Sequence, residues 1–383
     1  MPGMPDLAPL LTPDRHELVE LVRALHSQAS PWVPSGLGNH LHWGPQPQIE
    51  SSVLSLRRHN QVLEHATGDF TVTVEAGMAL SELQAVLAER GQWLPIDPPL
   101  AGPSSIGGVV ARGVSGPLRH KAMGLKDQVI GISLLRSDGT TAHAGGQVVK
   151  NVAGYDLMRL LTGSWGSLAL ITQLTLRTQP LPNHRLCFAV KGSLPSLQQL
   201  RQDLLLHSPL ALERLEWKHQ AGEISLWLSL VSLNPEGLQQ QQEQLKVSLA
   251  PELNLQPLDW EPSPTFVEQE LWLLRIGVEP DRADDLLGLA AIKPWTLQLG
   301  AASGLGLATG QAASHQVAEL RQHCESLEGY LTVLQAPQGQ DIQAWGNAPA
   351  RPVIEAVKRQ FDPLQQLSRG RLPGVAPVQA VRA

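Results

Sequence analysis

Residues 103–116 read PSSIGGVVARGVSG, with Gly107, Gly108, Gly113 and Gly116 set among small residues. Glycine lacks the Cβ that keeps backbone at a distance, so a run of this kind lets main chain press against a flat ligand or cross closely over a sheet. The stretch has company. SGLGNHL at 35–41 precedes it, and GGQVVKNVAGYDL at 145–157 with GSWGSL at 163–168 follows it. Residues 91–166 hold 14 of the 34 glycines, which concentrates the unusual backbone in one region. The 35–41 loop can turn successive N–H groups toward one anion. It lacks the Lys and Ser/Thr of a P-loop and the spacing of a dinucleotide fingerprint. Taken singly, each cluster suits a tight turn as well as a ligand site.

Ordinary elements surround these clusters. Thr12 and Pro13 open a helix whose apolar stripe is Leu18, Val19, Leu21, Val22 and Leu25. Residues 70–76 alternate as a strand, and Ser81 with Gln84 matches a capping box. Val129 to Leu135 reads as a strand, Asp138-Gly139 as a hairpin turn, Thr140 to Ala144 as its return, Tyr155 to Leu161 as a short helix and Leu168 to Arg177 as a long strand. Pro180 and Pro182 mark a boundary. Beyond it the order is strand 184–191, helix 196–206 capped by Ser196 and Gln199, strands 211–217 and 223–232, a helix from Asn234-Pro235, and a strand near 253–260. This βαββαβ order is ferredoxin-like. It recurs as strand 271–278, helix 281–290, strands 295–300 and 304–309, helix 312–326 and strand 330–335. Arg351 to Phe361, with Val353, Val357 and Phe361 four apart, forms a closing helix ended by Asp362-Pro363. The Gln239–Gln244 run is a solvated helix face, because Leu238, Leu245 and Leu249 give that segment one apolar side.

Composition narrows the function. A length of 383 residues supports two or three domains at ~150 residues each. A hydrophobic content of 42% excludes a disordered chain, and a net charge of −6 argues against an overall polyanion-binding surface. Cys187 and Cys324 are too few for a disulfide framework, a four-cysteine zinc site or an iron–sulfur cluster within the chain, so any electrons it moves travel on another cofactor. Met1 to Leu11 lacks the basic flank and apolar stretch of a secretory signal, and no apolar window approaches ~18 residues. The expectation is a cytoplasmic protein with no membrane span.

In this order the glycine clusters resemble the flavin-binding proteins of the vanillyl-alcohol-oxidase type, and among them the FAD-binding subunits of glycolate oxidase (glycolate dehydrogenase). The resemblance is strongest over 31–180. Its most diagnostic piece is 145–157, and Phe361-Asp-Pro with Arg369-Gly-Arg-Leu-Pro-Gly374 resembles the family's closing segment. It implies an α+β fold. An FAD-binding domain at 1–180, in subdomains near 1–76 and 77–180, would precede an α+β cap at 181–350 with ferredoxin-like elements and a C-terminal helix and tail at 351–383. The same resemblance implies that Ser35, Gly36, Leu37, Gly38, Asn39, His40 and Leu41 cradle the FAD pyrophosphate. Ile106, Gly107, Gly108, Ser115 and Gly116 would line the dinucleotide, and Gly166, Ser167 and Leu168 the flavin side. The sequence departs from the family in three places: Gly-Leu-Gly-Asn replaces three glycines followed by Thr or Ser, Gly113 stands where many members carry Asn, and Ala169 where many carry Gly.

The implied reaction is two-electron oxidation of a 2-hydroxy acid, glycolate to glyoxylate. Electrons would pass to a second, larger flavin subunit and an iron–sulfur subunit, with peripheral membrane association through those partners and no nucleic acid. A stand-alone FAD-dependent 2-hydroxy-acid dehydrogenase and a non-catalytic scaffold with a degenerate flavin site are the alternatives. The reaction needs a carboxylate anchor, for which Arg is suited, and a base, for which His is suited. No residue is assigned to either role. Arg275 lies on the 271–278 strand, and His315 and His323 lie on a solvated helix. Lys150 is equally well a flavin neighbour or a surface group, His40 is more often a hydrogen-bonding group than a covalent flavin link, and Arg119-His120-Lys121 is a small basic patch. No metal is expected.

Overall fold

Alternation along two sets of strands builds two main sheets, one of five strands and one of eight, with separate cores. The computed structural model describes residues 10–45, 51–99, 102–146, 156–259, 268, 270–340, 342–346 and 348–373. The described elements begin with strand β1 (Leu10–Leu11), helix α1 (Leu18–Ser27) and strands β2 (Trp32–Ser35), β3 (Ser52–Ser55), β4 (Val62–Ala66) and β5 (Thr71–Glu75). Helix α2 (Leu80–Ala88), strand β6 (Gln92–Trp93) and the short helices α3 (Ile106–Arg112), α4 (Arg119–Ala122) and α5 (Leu125–Gln128) follow. Then come β7 (Val129–Leu135), β8 (Thr141–Gly145), α6 (Leu157–Leu161), β9 (Leu170–Arg177) and β10 (Gln179–Pro180). The rest comprises β11 (His184–Lys191), α7 (Leu194–Leu206), β12 (Leu212–Gln220), β13 (Glu223–Ser232), α8 (Pro235–Val247), β14 (Asn254–Leu258), β15 (Trp272–Gly277), α9 (Ala283–Leu287), β16 (Thr296–Gly300), β17 (Leu305–Gly310), α10 (Ser314–Ser326), β18 (Tyr330–Gln335) and α11 (Arg351–Phe361). They fall into two compact units. One comprises Met1–Val114, Gly124–Leu181 and Asn347–Ala383; the other comprises Ser115–Met123 and Pro182–Gly346.

In the first unit β4-β5-β9-β7-β8 form an antiparallel sheet, and β1-β3-β2 form a small parallel one. Val72 pairs with Leu176, and Val74 and Ile132 both pair with Leu174, so one face carries apolar side chains that the helices cover. Helix α1 buries Leu18, Val22 and Leu25, one stripe at helical spacing. The Asp138-Gly139 turn holds as read: Gly139 takes φ +81° and Thr140 N–H donates to the Asp138 carboxylate at 2.9 Å. The closing helix spans Arg351–Phe361, but Val353 is exposed and Lys358 is fully buried. The chain then returns beside β2, where Trp32 N–H donates to Gln366 O and Ser368 N–H to Trp32 O.

The second unit is one eight-stranded antiparallel sheet in the order β14-β11-β13-β12-β16-β17-β15-β18. Each half has its first strand between its fourth and third, and the two second strands, β12 and β16, meet in the middle. Trp217, Leu226, Leu228, Trp272, Leu274 and Leu297 supply the core, covered by Leu197, Leu200, Leu245, Val317 and Leu320 from the helices. Segment Ser115–Met123 belongs to this unit, and its α4 packs on β12.

Several local readings shift for tertiary reasons. Helix α1 starts at Leu18 because Asp14 O first accepts from Glu17 and Leu18, so Thr12 caps nothing. The Ser81/Gln84 pair does not form a capping box. Ser81 Oγ donates to Gly102 O, while the Gln84 amide clasps Leu94 N–H and C=O at 2.9 and 2.7 Å. Helix α7 is capped by Ser193, with Pro195 in its first turn, rather than by Ser196. The expected 281–290 helix is split into two single 3₁₀ turns, Pro280–Arg282 and Ala290–Ile292, flanking α9.

Candidate functional site

The 35–41 loop leaves β2 and folds over the start of α3. Gly36 is obligatory there: a Cβ would lie 1.8 Å from Ser105 Oγ, the atom that caps α3 by accepting from Gly108 N–H at 3.2 Å. Ser55 Oγ pins the turn from the other side by donating to Gly36 O at 2.6 Å. Gly38 adopts φ +88°, and the Asn39 amide donates to Pro103 O. Among the described residues, the backbone N–H groups of Gly36, Leu37, Gly38 and Asn39 find no acceptor within the protein. Four consecutive free donors on a bent backbone make an anion-binding nest.

The nest opens into a cleft lined by Ser35, Gly36, Gly38, Asn39, His40 and Leu41, and also by Ser104, Ser105, Gly108, Arg112, Trp165 and Gly166. Of the residues expected from the sequence, these bring together all of the 35–41 loop except Leu37, together with Gly108 and Gly166. Leu37 is not among the lining residues. Ile106 and Leu168 are core side chains. Gly107 packs on the sheet, where a Cβ would meet Ala76 Cβ at 2.7 Å. Ser167 is buried, with its Oγ donating to Ser164 O at 2.6 Å. Ser115 and Gly116 line a different, small cavity in the second unit. Gly113 takes φ +64°, a conformation that Gly and Asn accept most readily.

His40 is buried, with Nε2 3.3 Å from Ser104 Oγ and its ring 4.3 Å from that of Trp43. Burial, reinforced by Arg112, pushes its imidazole down to about 3, so it is neutral near pH 7. Arg112 donates from Nη2 to His40 O at 2.7 Å and stacks over Trp165 at 4.1 Å. Arg371 lies over the same indole at 5.9 Å and donates to the carbonyls of Leu41 and Trp43. Ser368 Oγ donates to Gly166 O at 3.1 Å. The C-terminal segment thus fastens both loops of the cleft. Arg112, Trp165 and Arg371 fall within the 103–116, 163–168 and closing Arg-Gly-Arg-Leu-Pro-Gly stretches, but the glycines there, not these three, drew the reading.

The second-unit cavity is walled by Arg119, His120, Glu216, Gln298 and apolar side chains. Glu216 is fully buried and pairs with Arg214, and Gln298 Nε2 donates to its other oxygen at 2.5 Å. Burial raises the Glu216 carboxyl and lowers the His120 imidazole. Arg275 rests on Tyr330 at 5.6 Å, His315 is exposed, and His323 is 3.9 Å from Glu319. Lys150 and Tyr155 lie outside the described residues. Among the described residues no cluster of His, Cys, Asp and Glu could hold a metal, and no helix is long and apolar enough to cross a membrane.

The glycine-walled cleft and its nest of free N–H groups have the chemistry to hold an anion. Residues 10–145 match the FAD binding domain family. The chain is 31% identical over 222 residues to "Glycolate oxidase subunit GlcE" of Escherichia coli, covering 56% of this chain and 59% of that protein. It is 33% identical over 181 residues to "Glycolate oxidase subunit GlcD" of Bacillus subtilis, covering 47% and 38%. It is 32% identical over 185 residues to a probable mitochondrial D-lactate dehydrogenase of Danio rerio, covering 48% and 36%. The chain thus spans about three fifths, or less, of the length of these relatives. A solved structure of alkyldihydroxyacetonephosphate synthase superposes with a TM-score of 0.69 at 15% identity, covering 94% of this chain and 76% of that one, which establishes the shared fold.

Proposed function

We propose that this chain, whose residues 10–145 match the FAD binding domain family, is the FAD-carrying subunit of an oxidoreductase complex that converts a 2-hydroxy acid, glycolate in the first instance, to the 2-oxo acid. The observation that carries the reading is the Gly36–Asn39 nest beside Gly108 and Gly166, a dinucleotide cradle without a lysine. Bound there, FAD supplies a two-electron acceptor for oxidation of a C–H bond next to a hydroxyl. The residues of this chain do the rest. Gly36 to Asn39 offer N–H donors to the phosphates, and Gly108 and Gly166 leave space for close approach. Arg371, Ser368 and Asn39 hold the loops in place before the ligand arrives, which lowers the ordering cost of binding. His40, neutral and buried, shapes the wall.

The word "subunit" in the names of the two glycolate oxidase relatives supports a heteromeric assembly. The partners would be a second flavin subunit and an iron–sulfur subunit, since two lone cysteines provide no cluster in this chain. The strand order of the second unit supports reading each half as a ferredoxin-like element of a cap, and residues 182–346 as the substrate-type domain. Purification alone and with co-expressed partners tests the reading. Bound flavin that is bleached by glycolate under anaerobic conditions is the expected result. Colourless protein in both preparations overturns it. Bleaching by D-lactate but not glycolate keeps the FAD reading and replaces the substrate.

A further inference from the structure

We infer that the Arg112 guanidinium, held flat on Trp165, is the cationic donor to the phosphate groups of the bound dinucleotide; this rests on the FAD reading above. Arg112 is the last residue of α3, and Gly113 in the left-handed conformation turns the chain away immediately after it. Its side chain therefore stays in the cleft. Nη2 is committed to His40 O, the plane is committed to the Trp165 indole, and Nη1 is buried with no partner among the described residues. A buried charged donor left unpaired is costly, and native structures keep one chiefly where a ligand or ion completes it.

The surroundings sharpen the ligand class. The influences acting on Arg112, burial and then Arg371, both oppose its charge. Two guanidiniums over one indole repel each other in a site screened from water, and a ligand of more than one negative charge removes that repulsion. A planar guanidinium offers forked donors to phosphate oxygens. The neutral nest at 36–39 supplies hydrogen bonds without full charge, and Arg112 supplies the charge.

The test compares ligands with and without phosphates. Flavin-stripped wild type, R112Q and R112K are titrated with FAD, ADP and riboflavin, with far-ultraviolet circular dichroism confirming the fold. R112Q is expected to weaken FAD and ADP by about tenfold to a hundredfold, the span of a charge-assisted hydrogen bond, with riboflavin unchanged. R112K, which keeps the charge but neither the planar fork nor the stacking on Trp165, is expected to recover part of the loss. Equal FAD affinity in R112Q and wild type overturns the inference. So does an equal loss for FAD and riboflavin, which marks a packing role only. Should R112Q not fold, R112K decides: loss of FAD binding to the level of an empty cleft removes charge as the explanation. A wild type that binds neither FAD nor riboflavin defeats the FAD reading itself.

Discussion

Lys358 Nζ donates to Ser167 O at 2.7 Å, joining two residues 191 positions apart inside a fully buried site. The same ammonium donates to Leu367 O at 2.9 Å and pairs with Asp362 at 2.5 Å, and Asp362 in turn accepts from Leu367 N–H. One buried ion pair thus ties the closing helix, the C-terminal segment and the turn that carries Gly166.

Lys358→Met strands the Asp362 carboxylate without its cation. The expected loss is ~3–5 kcal/mol of unfolding free energy, read from urea denaturation. Lys358→Met with Asp362→Asn keeps the acceptor for Leu367 N–H and removes the lone charge, so it should recover much of the loss. A single variant as stable as the wild type would disprove the tie.

Gly36→Ala sets a Cβ against Ser105. The protein should lose about 1–3 kcal/mol through overpacking, and bound flavin with it. Ser105→Gly removes both clashing atoms at a capping cost of a few tenths of a kcal/mol. The double variant should therefore be more stable than Gly36→Ala alone. Additive losses in thermal melts would contradict the geometry.

His40 gives a signed pH dependence. Its folded value of about 3 lies below the ordinary imidazole value of 6.5, so the unfolded chain binds the proton first on acidification. Its contribution to stability is intact above about pH 6.5 and is lost as pH falls toward 3, at up to ~1.4 kcal/mol per pH unit. His40→Asn should flatten that part of the profile. Unfolding curves at pH 4, 5, 6 and 7 provide the check.

Burial pushes the Cys324 thiol up to about 12 and also raises Cys187, which is only half-buried. Cys324 should resist a thiol reagent at pH 8 in the native protein and react promptly in denaturant. Peptide mapping separates the two sites, and rapid native labelling of Cys324 would refute the packing.

Legibility in the sequence followed locality. Asp138-Gly139 dictated its hairpin because the turn residues satisfy their own backbone. The Ser81/Gln84 signal failed because Leu94, on the strand side of the turn that follows the helix, offers Gln84 both its N–H and its C=O. The closing helix forms where the spacing of Val353, Val357 and Phe361 puts it, and Val357 and Phe361 pack on the core, whereas Val353 is exposed and Lys358 faces inward because carbonyls and Asp362 await it.

The same division holds at the candidate site. The sequence by itself determined that main chain would run close to its surroundings at 35–41 and around 107–108, since Gly36 and Gly107 stand where a Cβ has no room, and the dinucleotide followed only from the family resemblance. It also determined that the chain carries no cluster of its own, since two cysteines cannot build one. Tertiary structure alone sent Ser115 and Gly116 to the second unit. It alone brought Arg112, Trp165 and Arg371 together, because stacking and charge in a buried site depend on contacts between segments far apart in the chain.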